Sequence, residues 1–249
     1  MQIPKLLTVL ILMYANVTAS FADPSHINAA DPQPFELDIS QAFTYDNNIF
    51  RLPSGAHPLI ANGNEVTSGP RSDSVSTTAI AGRIDKNFSL QQVVADVKLL
   101  RNDYREYSHL NNTNRNGSLT WNWAVTRRWS GAISGLQSEA LRNFADSGST
   151  QRSLNTSRRY HADANYWWHP SWSAGVGAHK KTSRYSDVTS SSLEFDENSI
   201  EFKTTYRSSP ANQIMVVGIK TDGSYPNRAA EFSDVFDSGY RQTSLQLQA

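Results

Sequence analysis

The sequence predicts an all-β protein, an up-and-down antiparallel transmembrane β-barrel with about ten visible strands. Three observations predict it: apolar and polar residues alternate with period two, short polar turns recur about 42 residues apart, and the tryptophans gather beside two of those turns. Indole is amphipathic, so membrane barrels place it at their interfaces with water. The predicted aromatic girdle comprises Trp121, Trp123, Trp129, Trp167, Trp168 and Trp172.

The first 22 residues have the features of a cleaved secretory signal. Lys5 is their only charged residue, an apolar stretch runs from Leu6 to Val17, and the small residue Ala22 precedes the predicted cleavage. Residues 23–33 then form a periplasmic N-terminal segment, and residues 34–249 form the barrel domain. No later apolar stretch approaches the roughly 20 residues that a membrane-spanning helix needs. We therefore expect the mature chain to cross a membrane with strands.

Short and long connections alternate along the chain. Short polar turns are predicted at 85–87, 126–128, 169–171 and 208–211, and longer segments at 45–72, 105–114, 146–153, 185–194 and 222–234. Strands are predicted at 34–45, 73–85, 88–104, 114–126, 129–144, 154–168, 171–184, 195–207, 212–221 and 236–247. Tight turns on one rim and long loops on the other are typical of bacterial outer-membrane barrels.

The alternation assigns every strand residue to one of two faces. Leu119 falls on the predicted lipid face and Thr120 on the predicted lumen face. The lumen candidates are Glu36, Asp38, Asp96, Lys98, His161, Asp163 and Asn165. These side chains either line a path for a glycan or an ion, or fill the interior of a narrow barrel. Likewise Tyr104, Tyr107 and Tyr160 either stack on sugar rings or form an upper aromatic belt.

Composition and motifs argue against several classes of function. The 23 Lys and Arg residues balance 23 Asp and Glu residues, which gives no electrostatic reason to expect nucleic acid. No cysteine is present, so disulfides cannot staple the fold. His161 and Asp163 share one face but supply only two ligands, and no nucleophile elbow, phosphate loop or metal-binding spacing occurs. The sequence thus predicts no catalytic, cofactor or metal site, and a protein that is not an enzyme.

Three segments carry a family resemblance: Phe35 to Pro58, which includes DNNIFRLP, residues 72–86, and YWWHPSWSAGVG at 166–177. They resemble the exopolysaccharide-biosynthesis outer-membrane β-barrels of the EpsL type, which are associated with exosortase systems. The resemblance implies an outer-membrane location in a Gram-negative bacterium and a role in making or exporting extracellular polysaccharide. It also implies lipid, polysaccharide and other secretion components as partners. Members of this family continue through further strands, so we expect a barrel that is incomplete at its C-terminus.

Two other functions remain open at this point. A general diffusion porin of the outer membrane would share the strand pattern and would conduct ions. A soluble secreted β-domain that binds carbohydrate would need no detergent. The long loop from Tyr45 to Pro70 is where we expect a partner or a glycan to bind, because loops of this length are usually functional or disordered. The sequence does not predict the oligomeric state.

Overall fold

The computed structural model of the chain describes residues 10–13, 34–62, 65–147, 150–209, 212–228 and 237–248. Of the predicted signal, only 10–13 are described, and the segment 23–33 lies outside the described residues. The strands are β1 (Leu10–Met13), β2 (Phe35–Asp46), β3 (Leu59–Asn62), β4 (Glu65–Ser68), β5 (Asp73–Phe88), β6 (Gln91–Tyr104), β7 (Asn112–Ala124), β8 (Trp129–Leu141), β9 (Leu154–His169), β10 (Trp172–Tyr185), β11 (Phe195–Ser209), β12 (Asn212–Ser224) and β13 (Gly239–Gln248).

One antiparallel sheet contains nearly all of these strands. Its order is β1-β2-β5-β6-β7-β8-β9-β10-β11-β12-β13, so each long strand pairs with its neighbours in sequence. The hairpin β3-β4 forms a separate two-stranded sheet within the loop after β2. Helical structure in the described residues is limited to Phe144–Ser147 and two 3-10 turns, Ser108–Leu110 and Val188–Leu193. The predicted all-β, up-and-down architecture with ten long strands is confirmed, and the described sheet is open.

The predicted strand boundaries agree with the structure to within about three residues. The turn predicted at 85–87 is wrong, because the hairpin closes at Ser89 and Leu90, where the turn begins four residues later than predicted. Phe88 pairs with Gln91 across a two-residue loop, and Ser89 adopts the left-handed conformation with φ of 57°. The polar run Asp85-Lys86-Asn87 resembles a turn in composition but continues the strand.

The sheet has one apolar and one polar face. Leu119 lies opposite Ala95 on β6 and Gly135 on β8, and Val176 lies opposite Ala164 and Phe202. Large side chains on this apolar face are open to the surroundings, with 54% of Leu119 and 63% of Phe202 exposed. Monomeric soluble proteins rarely expose apolar patches that run across a whole sheet.

The polar face is concave. Glu36 on β2, Arg83 on β5, Asp96 on β6, Ser118 on β7 and Ser138 on β8 line one cavity of about 460 Å³. In a flat sheet β2 and β8 would be separated by four strand spacings, roughly 19 Å. The sheet therefore curls around its polar side, and the apolar side chains lie on the convex surface.

A compact apolar cluster, here called the loop cap, lies at the end of the sheet with the long loops. It consists of Ile49, Phe50, Tyr107, Leu110 and Phe144, which come from the loops after β2, β6 and β8. The Phe50 ring packs edge-on against Tyr107 and Phe144, with centroid distances of 4.7 and 4.8 Å. Edge-to-face contacts of this kind add to the free energy of burial. The loop cap joins three loops that are distant in sequence.

Candidate functional site

All seven lumen candidates lie on the concave polar face, where the register separates them into two groups. Glu36, Asp38, Asp96 and Lys98 line the 460 Å³ cavity together with Arg83. His161, Asp163 and Asn165 lie farther round the sheet, on β9. The register places both groups on the face that alternation assigns to them, and their assignment to a lumen stays a prediction.

The first group is a mixed-charge wall. Arg83 contacts Asp96 at 2.9 Å and Asp85 at 3.3 Å, and the hydroxyl of Ser118 donates a hydrogen bond to Asp96 over 3.1 Å. Nearly half of the Arg83 and Asp96 side chains is exposed, so their ion pair contributes little to the free energy of folding. Three carboxylates and two cations leave this wall without a strong field of either sign.

The second group is larger than the sequence indicated. His179 on β10 lies directly opposite His161, and the two imidazole rings stack with centroids 4.3 Å apart and planes 10° apart. The Nε2 atom of His161 lies 3.5 Å from Asp163, and that of His179 lies 3.6 Å from Glu201 on β11. Lys203 approaches Asp163 to 3.6 Å. Alternation places His179, Glu201 and Lys203 on this face, but only the strand register brings them together.

The second group contains side chains of the types that bind metals, but their geometry does not fit a metal ion. The lone pairs of stacked imidazoles lie in parallel planes and do not converge on one ion. The amine of Lys203 and the amide of Asn165, which donates to Asp163 over 2.8 Å, already occupy that carboxylate. Within the described part of the chain, no three His, Cys, Asp or Glu residues are arranged to hold a metal ion. The group can donate and accept hydrogen bonds along the wall.

Neutral polar side chains fill the wall between the two groups. Every second residue of β7 points to the concave face, and most of these residues carry an amide or a hydroxyl: Asn112, Asn114, Asn116, Ser118, Thr120 and Asn122. The Oδ1 atom of Asn114 is buried and has no hydrogen-bond partner among the described residues. Rows of amides and hydroxyls match the donors and acceptors of sugar hydroxyl groups.

The predicted aromatic girdle is divided between the two faces. Trp121, Trp123, Trp129 and Trp172 share the apolar face. The rings of Trp129 and Tyr166 lie 4.7 Å apart, as do those of Trp172 and Tyr206. Gly131 leaves room for the Trp123 ring, because an added Cβ would lie 2.5 Å from it.

The girdle prediction is wrong for Trp167. This residue lies on the polar face, opposite Ser173, with the guanidinium of Arg207 4.6 Å above its ring. Adjacent residues of a strand alternate between the two faces, so Trp167 lies on the face of His161 and Asp163, and the register shifts beside Trp168. The sugar-stacking interpretation is also wrong for Tyr107, which is buried in the loop cap, whereas Tyr160 is exposed on the apolar face.

The DNNIFRLP segment builds the loop cap. The Asp46 carboxylate accepts a hydrogen bond from the Asn48 amide and pairs with Arg51 at 2.7 Å. The Asn48 side chain both donates to and accepts from the backbone of Leu52. These contacts turn Ile49 and Phe50 into the cap. The segment has a structural role, and the expectation of a bound partner or glycan over the long loop stays a prediction.

Two carboxylates, Asp73 and Asp187, fix the other loops. Asp73 is fully buried at the start of β5, and its carboxylate accepts hydrogen bonds from the backbone amides of Arg105, Glu106 and Tyr107. Asp187 caps the 3-10 turn that follows β10. Burial of the Asp187 carboxyl opposes ionisation, but hydrogen bonds from Ser153, Ser190 and Thr189 outweigh it and hold the pKa well below its usual range.

Comparisons with known proteins add no relative. The chain matches no family model, no curated protein and no solved structure. The resemblance to EpsL-type barrels therefore stays a prediction. No helix in the described residues is long and apolar enough to span a bilayer.

Proposed function

We propose that the chain is a non-catalytic outer-membrane β-barrel protein that takes part in making or exporting an extracellular polysaccharide. The observation that carries the proposal is the two-faced sheet, whose large apolar side chains are exposed on the convex side while polar side chains line the concave side. A sheet of this kind is stable where lipid covers the convex side and water fills the concave side.

Strand length and backbone pairing support the membrane location. The ten long strands have 10 to 16 residues each, and a strand of about 9 to 11 residues spans the hydrocarbon core. Neighbouring strands pair along their lengths, so their backbone N–H and C=O groups have the hydrogen-bond partners that hydrocarbon cannot supply. The proposal requires the outer strands of the open sheet to pair with further strands, because unpaired edges are costly in lipid.

The concave wall and the resemblance of three segments support the polysaccharide role. The amide and hydroxyl row of β7 offers many weak, uncharged contacts, and such contacts let a long neutral polymer slide past. The mixed-charge wall around Arg83 instead favours a second candidate, a general diffusion porin whose charges act on passing ions.

Three measurements test the proposal and separate the candidates. We expect the native protein to fractionate with the outer membrane and to change gel mobility on heating. Deletion of the gene should abolish secreted polymer, and a plasmid copy should restore it. Conductance in planar bilayers without any polymer phenotype would favour the porin, and a stable monomer that stays in solution without detergent would contradict both.

A further inference from the structure

The upper boundary of the apolar face has an unusual charge pattern. On the convex face of each long strand, the apolar stretch ends at a polar residue on the side of the long loops. These ten residues are Gln41, Thr78, Arg101, Arg115, Gln137, Arg158, Lys180, Asn198, Lys220 and Thr243. Five of them are Lys or Arg and none is Asp or Glu. The five cations are here called the cationic row.

The register places three members of the cationic row beside apolar residues and the other two, Arg101 and Arg158, one same-face step closer to the long loops. Arg115 lies opposite Leu99, Lys180 lies opposite Tyr160, and Lys220 lies opposite Ile200. Each of these three cations therefore borders the last apolar residue of an adjacent strand, whereas Arg101 lies opposite Thr78 and Thr113, and Arg158 lies opposite Gln137 and Thr182. All five side chains are exposed.

On their own strands, the carboxylates of the convex face lie closer to the long loops than the ten residues at the boundary do. Several of them already pair with cations outside the row. Asp196 pairs with Arg184 at 2.7 Å, and Asp222 pairs with Arg241 at 2.6 Å. Arg101 pairs with Asp103, and Arg158 donates to the amide oxygen of Gln137. Among the described residues, Arg115, Lys180 and Lys220 form no ion pair.

The opposite boundary of the apolar face is different. Towards the short turns the face ends mainly in aromatic rings, including Phe88, Trp123, Trp129 and Trp172. Aromatic rings fit the boundary of any phospholipid leaflet, whereas exposed cations bordering hydrocarbon fit a leaflet rich in negative charge. The two boundaries thus differ in the lipid that each one fits.

We propose that the cationic row binds the phosphate groups of lipids whose headgroups carry phosphomonoesters, in the leaflet on the long-loop side. The inference rests on the proposed membrane location. A guanidinium binds two phosphate oxygens at once, and a lysine ammonium adds a point charge.

Arg158 and Arg159 on β9, and Lys180 and Lys181 on β10, are adjacent in sequence and lie on opposite faces, so they supply a matched test. Arg158→Gln with Lys180→Gln removes two charges from the convex face. Arg159→Gln with Lys181→Gln removes two charges from the same strands, one residue along, on the concave face. The full chain is reconstituted in phosphatidylcholine nanodiscs doped with phosphatidic acid or, as a second arm, phosphatidylglycerol. Native mass spectrometry then counts the lipids that the protein retains.

We expect preferential retention of phosphatidic acid by the wild-type chain. The convex double variant should lose about fivefold in retention per removed cation, and the concave double variant should stay within about twofold of wild type. Equal retention in all three proteins, or an equal loss in both variants, would overturn the inference. Displacement of the lipid by millimolar inorganic phosphate would show a free-anion site instead. Failure of the wild-type chain to enter the bilayer would overturn the proposed function as well, whereas insertion without lipid preference overturns this inference alone.

Discussion

The apolar side chains of the loop cap are buried inside the protein, whereas those of the strands point outward on the convex face. In the cap, Phe50 is 3% exposed and Leu110 is fully buried among side chains of the same protein. Along the strands, Ile80 is 45% exposed and Leu119 is 54% exposed on the convex face. The cap gains its stability in water from burial within the protein. The strands gain theirs only if another apolar medium covers them.

The largest effect is expected in the cap. Replacing Phe50 by Ala should lower the free energy of unfolding by about 3 to 5 kcal/mol, because it empties the centre of a packed aromatic cluster. Denaturant unfolding in detergent micelles measures this loss. The control is Phe43→Ala on the convex face, where about half of the ring is exposed and the loss should be much smaller. Equal losses at the two positions would remove the distinction between the regions.

The next effect separates the two faces of one strand. Replacing Leu119 by Arg should impair insertion by about 2 to 4 kcal/mol if the residue lies near mid-membrane, because a charge would face lipid. Thr120→Arg, on the concave face, should be better tolerated. Folding into vesicles of increasing lipid concentration measures the difference. The assignment of faces fails if both variants are impaired alike.

Acid should loosen the loops before the strands. The pKa of Asp187 is lower in the folded protein than the value of about 3.9 in an unfolded chain. Its contribution is therefore complete above about pH 5 and is lost as the pH falls below 4. The Ser190 amide donates to Asp187 over 2.9 Å, and its protection, which is its hydrogen-exchange rate relative to an unstructured peptide at the same pH, should fall over that range. In Asp187→Asn the protection should be low throughout, and an unchanged pH profile in that variant would assign the effect to another group.

The smallest effect is expected on the concave wall. A double-mutant cycle on Arg83 and Asp96 should give no coupling free energy beyond the error of the measurement, because both side chains are extensively exposed. Unfolding of Arg83→Gln, Asp96→Asn and the double variant measures it. A coupling well outside that error would mean that the wall is drier than a water-filled interior allows.

The sequence predicted the strands and their faces because both follow from local periodicity. Alternation placed Leu119 and Asp163 on opposite faces without knowledge of any partner strand, and the register agrees. The stacking of His161 on His179 could not be predicted, because it depends on a register that hairpin turns set and alternation does not. The turn at 85–87 was misplaced because the polar run Asp85-Lys86-Asn87 does not determine where the hairpin closes. The polar face of Trp167, in contrast, follows from the same alternation that places His161.

The loop cap could not be predicted from the sequence, for a different reason. Phe50, Tyr107 and Phe144 are far apart in sequence and lie outside any periodic segment, so no local pattern links them. The resemblance drew attention to DNNIFRLP, but only the contacts of Asp46, Asn48 and Arg51 show that the motif shapes a loop.

The exposure of the convex face to lipid can be measured residue by residue. The chain has no cysteine, so single cysteines introduced at positions 117 to 122 of β7 can each carry a spin label without background. In reconstituted vesicles, labels at 117, 119 and 121 should collide with oxygen dissolved in the lipid, and labels at 118, 120 and 122 with a water-soluble nickel chelate. Equal access of the chelate to both sets would contradict the account.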